Sequence, residues 1–528
     1  MSPRHLRPAL LIFLLLSLVL LAACSPAAPQ SVAVETAPAA EAPTAPPPTT
    51  APTVAAPAAA PTEAPAEAPE ASGEPIVTVL EMPYTLADLQ AMEQVESTAG
   101  DRTATGPGLL ALLEAAAGGA ALPESVQVVA SDGYAASVAL AELDDTAVLG
   151  LNDDGSLETL IPTLPKKTWV RDVVEIVAEE LVEAVEGQGT ESIPLDTPLE
   201  FVDGAGRTVT LEALPGRIMV VGTGPHMTLH ILYMFEEGRA RLVGSESRAS
   251  TPSEFLQLVD DRFSQIPVLA ANPNVEQIAA LQPDLVIMKG MTESELGETL
   301  NQAGIAHMYV NLESTDAFFS DLANIGALLG AEERAQEIAD WYQQHLDALD
   351  KAVAQAASKP SVLMLSYSAR GAEVAVKVPA EPWMQTAEVR RAGGEPVWLD
   401  SAAESSGWTV TNLEQIAQWN PDQIYVIINW DLDMQEVMDG LKADPGWAAL
   451  KAVQNGQLYA FPQDIFGWDQ PEPRWILGMQ WLGQHIHPDL MADLDMEATV
   501  RDWFASMYGM DQAAFDERIL PRLRMDID

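Results

Sequence analysis

At 528 residues the chain is long enough for several domains and at least one large core, and 77 acidic against 27 basic residues leave a formal net charge of −50. So acidic a chain repels nucleic acid and anionic lipid headgroups, which makes both poor partners. Its single cysteine, Cys24, excludes a disulfide framework within one chain, so stability has to come from core burial.

Taken in chain order, residues 1–23 place Arg4 and Arg7 before an apolar stretch, the layout of an export signal. The stretch ends Leu21-Ala22-Ala23-Cys24, which resembles a bacterial lipobox. That resemblance implies lipidation of Cys24 as the new N-terminus and an extracytoplasmic chain anchored to the cell membrane. Residues 24–74 then run in Ala, Pro, Thr and Glu with no aromatic residue, a composition that cannot bury enough apolar surface to fold and reads as a tether.

Residues 75–190 predict a small α+β domain: "LLALLEAAAGG" is a helix ending in glycines, "SVQVVASDGYAASVAL" a strand, a turn and a strand. "ATGPGLLALLEAAAG", "VVASDGYAASVALAEL" and "KTWVRDVVEI" resemble part of the molybdopterin-binding fold of sulfite-oxidase-like enzymes. Those enzymes hold molybdenum through a cysteine, and this region has none. The expected reading is therefore a non-catalytic module in which Asp132-Gly133-Tyr134 is a structural turn, and which is dispensable for ligand binding. A surface-anchored oxidoreductase subunit that keeps a pterin is the competing class.

Residues 197–528 contain one phrase written twice: "EQIAALQPD" from Glu276 and "EQIAQWNPD" from Glu414. Each copy has apolar residues at helical spacing, a proline that ends the helix and an apolar run suited to a strand buried on both faces. Two such units, each with strands of its own, predict an α/β fold of two lobes with mostly parallel sheets: lobe one at 197–332, a connecting helix at 333–358 within one long helical pattern, and lobe two at 359–528. A ligand cleft is expected beyond the strand ends, between the lobes.

On "FVDGAGRTVTL", "VEQIAALQPDLVIM", "IGALLGAEERAQEI", "LEQIAQWNPDQIYVI", "GQLYAFP" and "WDQPEPRWILGMQWLGQHIHPDL", this part resembles the substrate-binding proteins of type II ABC importers. The resemblance implies capture of an iron chelate (siderophore or haem) or cobalamin, or, in one branch, molybdate or tungstate. It also implies delivery by a monomer to a permease and its ATPase, with no resident cofactor. Glu276 and Glu414 fall where the family presents acidic residues to the permease.

Strand-end loops supply the candidate ligand contacts: Thr223, His226 and Arg248 in lobe one, and Tyr367, Arg370, Trp408, Trp430 and Trp468 in lobe two. Ten of the 12 tryptophans lie in lobe two, flat rings that suit a large ligand, and the two arginines suit an anionic chelate. Trp475 and Trp481 are expected in the core. His226 and His230, four residues apart, with His307 and Asp469, are weighed as a bare metal site and set below the chelate reading. No Gly-rich phosphate loop, H-E-x-x-H, G-x-S-x-G or C-x-x-C occurs, so no enzyme is expected.

Overall fold

The computed structural model describes residues 75–525, apart from 101, 153, 180–181, 248–253, 291–293, 371–372, 404, 406 and 430–431. The expected leader, Cys24 and the tether lie outside the described residues.

The small domain is a five-stranded sheet in the order Met82–Tyr84, Val77–Val79, Val173–Ala178, Ser125–Ala130 and Ala135–Ala139. The expected strand-turn-strand is its outer hairpin. The turn closes through the Tyr134 amide donating to Asp132 Oδ1 at 2.9 Å, with Gly133 at a φ of 85°.

Lobe one is a sheet of five parallel strands: β1 (Ile218–Gly222), β2 (Leu242–Glu246), β3 (Val268–Leu269), β4 (Leu285–Lys289) and β5 (His307–Val310), in the spatial order β3-β2-β1-β4-β5. Alternate residues of β1 enter different cores, Ile218 and Val220 one and Met219 and Val221 the other, as a strand buried on both faces requires. Two helices position functional residues in this lobe: α1 (Pro225–Leu232), which leaves the end of β1, and α2 (Val275–Ala280), which precedes β4.

The long helical pattern between the lobes is two helices. Thr315–Leu329 stops at Gly330, whose φ of 66° lies in the left-handed region, and the Ala331 amide turns back to the Gly326 carbonyl at 2.8 Å. A second helix, α3 (Glu332–Val353), then spans to lobe two and ends five residues earlier than its pattern predicts.

Lobe two has β6 (Ser361–Arg370), β7 (Glu373–Val378), β8 (Glu395–Pro396), β9 (Thr409–Thr411), β10 (Gln423–Ile428) and β11 (Leu458–Ala460), in the order β9-β7-β6-β10-β11 with β8 also on β6. Pairing is parallel among β8, β6, β10 and β11, while β7 and β9 are antiparallel additions. Between them lie α4 (Met384–Arg391) and α5 (Leu413–Trp419), and α6 (Trp475–Ile486) follows β11. Trp475 and Trp481 are buried on α6 as expected.

The repeated phrase does the same work in both lobes. Asn274 caps α2 and Asn412 caps α5, accepting from Gln277 N and Gln415 N at 2.9 Å each. Ile278 and Ile416 are fully buried. The closing aspartates lock the neighbouring strand: Asp284 accepts from Gly216 N at 2.8 Å and Arg217 N at 2.9 Å, and Asp422 accepts from Ser361 N at 2.9 Å.

Candidate functional site

The lobes meet on a charged joint with no access to water. Arg474 donates through Nε to Asp464 Oδ2 and through Nη1 to Glu472 Oε2, both at 2.8 Å, and Glu472 in turn meets His230 Nδ1 of α1 at 2.9 Å. The guanidinium lies 4.1 Å from the Phe255 ring centre. Burial works against the arginine's charge, but the two carboxylates more than offset it and hold its pKa above the ordinary value. Burial lowers the His230 pKa despite Glu472, so the imidazole is neutral at pH 7. The segment "WDQPEPR" is therefore the fastener that ties lobe two to α1.

Beside this joint opens a cleft of ≈ 390 Å³. Lobe one contributes Met227 and Glu313, and lobe two contributes the rest, including Trp383, Trp408, Gln385, Asn429, Gln463, Asp469 and Gln470. The tryptophan rings stand edge to face at 81°, with centres 5.6 Å apart. Glu313 is paired with Lys289, at the end of β4. Asp469 accepts from Gln385 Nε2 at 3.4 Å, and a Cβ at Gly467 would come within 2.4 Å of Asp469 Oδ1, so glycine makes the room that this carboxylate occupies.

Behind the wall, Glu388 on α4 is fully buried with neither oxygen hydrogen-bonded. Burial, and then the Asp469 charge, push its pKa well up, so it sits there as the neutral acid.

The predicted contacts divide. Trp408 lines the cleft. Tyr367 is half-buried and is not among the lining residues, whereas its neighbour Ser366 is. Thr223 is exposed beyond β1. His226 is buried, stacked on Phe466 at 16° and 5.3 Å, and meets Gln470 through Nε2 at 3.2 Å, so it supports the wall from behind. Trp468 is a correction: it is fully buried and donates its indole N–H to Asp464 at 3.2 Å, which makes it part of the joint. Arg248, Trp430 and the side chain of Arg370 lie outside the described residues.

Among the described residues no group of three or more His, Cys, Asp or Glu side chains is placed to hold a metal ion. His230 is engaged by Glu472, and His307 meets Arg207 at 2.7 Å in lobe one.

Trp383 and Gln385 line the cleft without having been expected there. They follow β7, which is antiparallel, whereas ligand loops are sought after parallel strands.

Residues 260–465 match the family model described as periplasmic binding protein. The match runs from lobe one into lobe two and covers less than half of the chain. The chain's relatives include the molybdate-binding protein MolA of Haemophilus influenzae, 20% identical over 58% of this chain and 90% of that protein. They also include an uncharacterized ABC transporter substrate-binding lipoprotein, YvrC of Bacillus subtilis, 25% identical over 55% and 86%. The vitamin B12-binding protein of Yersinia pestis is 27% identical over 40% of this chain and 69% of its own. A periplasmic solute-binding protein from Veillonella parvula superposes with a TM-score of 0.49 at 21% identity, over 61% of this chain and 97% of its own. The likeness of the two-lobed part is to periplasmic solute-binding proteins, among them an ABC transporter substrate-binding lipoprotein. No helix of the described residues is long and apolar enough to cross a membrane.

Proposed function

We propose that the chain captures a metal chelate (ferric siderophore, haem or corrinoid) outside the cytoplasm and delivers it to an ABC permease, held to the membrane through Cys24. The observation that carries this reading is the cleft wall: two crossed tryptophans and four side-chain amides around ≈ 390 Å³. Flat rings cover an apolar or π-rich face, and amides serve as donor or acceptor to a chelate's rim. Asp469 and the Lys289-paired Glu313 add no net positive charge to the described lining, which suits a neutral or weakly charged ligand better than a dianion.

The repeated glutamates serve as docking points for the permease. Glu276 and Glu414 are exposed in the first turns of α2 and α5, and neither carboxylate has a partner among the described residues. The asparagine and aspartate that bracket each copy of the phrase are used inside the fold; these two glutamates are left for an outside partner. The small domain is a non-catalytic module, since the chain's only cysteine is Cys24.

A second reading, an oxyanion cargo, is favoured by the similarity to MolA and by the same amides acting as donors. Titration of the purified protein with cyanocobalamin, haemin, a ferric hydroxamate and molybdate, followed by tryptophan fluorescence and melting temperature, separates the two. Quenching by one of the chelates is expected. A melting shift with molybdate alone overturns the chelate assignment.

A further inference from the structure

The small domain meets lobe one at the approach to α2, apart from contacts that Gln188 and Thr190 make at its end. Its outer strand Ala135–Ala139 has a free edge beyond the hairpin, and the segment after β3 fills it. Ser137 N donates to Ala271 O at 2.8 Å and Ala271 N to Ala135 O at 2.9 Å, a parallel bridge between the two sheets' edges. Ala271 is buried within the small domain's core. Ser247, just past β2, reaches the Ala135 carbonyl through Oγ at 3.3 Å. On the far side of the bridge, Gln277 closes the capping box of α2 by accepting from Asn274 N at 2.7 Å, and its amide nitrogen meets Ser137 Oγ at 3.5 Å. Gln277 is buried, while its counterpart Gln415 in lobe two is only half-buried.

We infer that the small domain is a positioning brace for lobe one's docking turn. By pairing with Ala271 and enclosing Gln277, it fixes the start of α2 and with it Glu276, a support that the equivalent Glu414 lacks. The inference rests on the docking role proposed for Glu276. Its consequence is a docking surface that is symmetric in its two glutamates and asymmetric in stiffness, so that one lobe presents a preset contact and the other adapts.

The test is Ser137→Pro in the full mature chain. The Ser137 amide faces Ala271 rather than the neighbouring strand Ser125–Ala130, so proline removes the bridge and spares the hairpin ladder. Two readouts apply: amide exchange at Ala271 and Gln277, and association with the importer's permease–ATPase complex in nanodiscs. Exchange at both amides is expected to rise about ten-fold, the order expected for loss of one backbone bond, and association to weaken by a similar factor. Amide protection at Val126 and Val128 reports that the small domain stays folded. The milder pair Ser137→Ala with Ser247→Ala keeps every strand bond and is expected to act in the same direction, by about two- to three-fold. Unchanged exchange and association in both variants overturn the brace, provided that Glu276→Arg weakens association. If Glu276→Arg is silent, it is the docking role that fails; faster exchange at Ala271 and Gln277 in Ser137→Pro would then still mark the bridge as a brace of α2, and unchanged exchange would remove that too.

Discussion

Lobe one and lobe two carry the same phrase and put it to different surroundings. In both, an asparagine caps the helix, an isoleucine fills the core, and an aspartate fastens the start of the neighbouring strand. Lobe one adds a wholly parallel sheet and an attached small domain, yet gives the described cleft lining only Met227 and Glu313. Lobe two inserts the antiparallel β7 and β9, and the chain around them brings in Trp383 and Trp408. What the duplicated unit must do to fold is thereby separated from what each lobe gives to the cleft: most of the described lining comes from lobe two.

The largest effect is expected where the two lobes are fastened together. Arg474→Met leaves Asp464 and Glu472 buried without their counter-charge, at a cost of about 3 to 5 kcal/mol. Equilibrium denaturation with urea checks it, and a loss under about 1 kcal/mol would mean that the lobes are held by apolar packing alone.

The asymmetry of the cleft predicts the next effect. Trp408→Ala is expected to weaken the preferred chelate by about 2 kcal/mol, roughly thirty-fold, because one face of the crossed pair is removed. Met227→Ala, on the lobe-one side, is expected to change affinity by less than about 1 kcal/mol. Isothermal titration of both variants against cyanocobalamin, haemin and a ferric hydroxamate checks the ranking; equal losses would place recognition on both lobes.

Smaller effects come from the titration of one aspartate lock and of the histidine in the joint. Hydrogen bonds from Lys451 and from Ser361 lower the Asp422 pKa from its ordinary 3.8 to about 2. Because the folded value lies below the unfolded one, its contribution is full above about pH 4 and disappears as pH falls towards 2. Asp422→Asn should therefore flatten the stability profile across that window. His230 gives a second window: its folded pKa is lowered, so an unfolded chain takes up a proton that the native joint refuses, and stability falls as pH drops below about 6.5. Urea midpoints measured from about pH 7.5 to 5 should show the decline, and His230→Gln should lessen it.

Much of this architecture is legible in the sequence because the duplicated unit couples two periods, helical then strand, with a proline between them. The break at Gly330 is not, since "LLGAEERA" keeps its apolar spacing across the glycine and only the left-handed turn interrupts the helix. For the site, the sequence marks loop tryptophans without the means to sort them. Trp408 faces the cleft, while Trp468 is drawn into the core by a buried aspartate four residues before it in the chain, a partnership that becomes visible only when Arg474 folds back onto Asp464. Trp383 stays hidden because the strand before it runs the other way. The carboxylate pair of Glu388 and Asp469 is equally hidden, as one sits on a helix and the other in a loop 81 residues on.

On the proposed reading the duplicated glutamates meet the permease while the cleft does the binding. It is tested most directly by the double variant Glu276→Arg, Glu414→Arg, compared with the unaltered chain in vesicles carrying the permease and its ATPase and supplied with whichever chelate quenches the tryptophans. Unchanged affinity in the isolated protein and loss of most uptake are predicted, since each change turns an attraction into a repulsion across the interface, about 2 to 5 kcal/mol where the contact is buried and hydrogen-bonded. Normal uptake by the double variant would contradict the claim and leave both glutamates as solvated residues of a repeat that only builds the lobes.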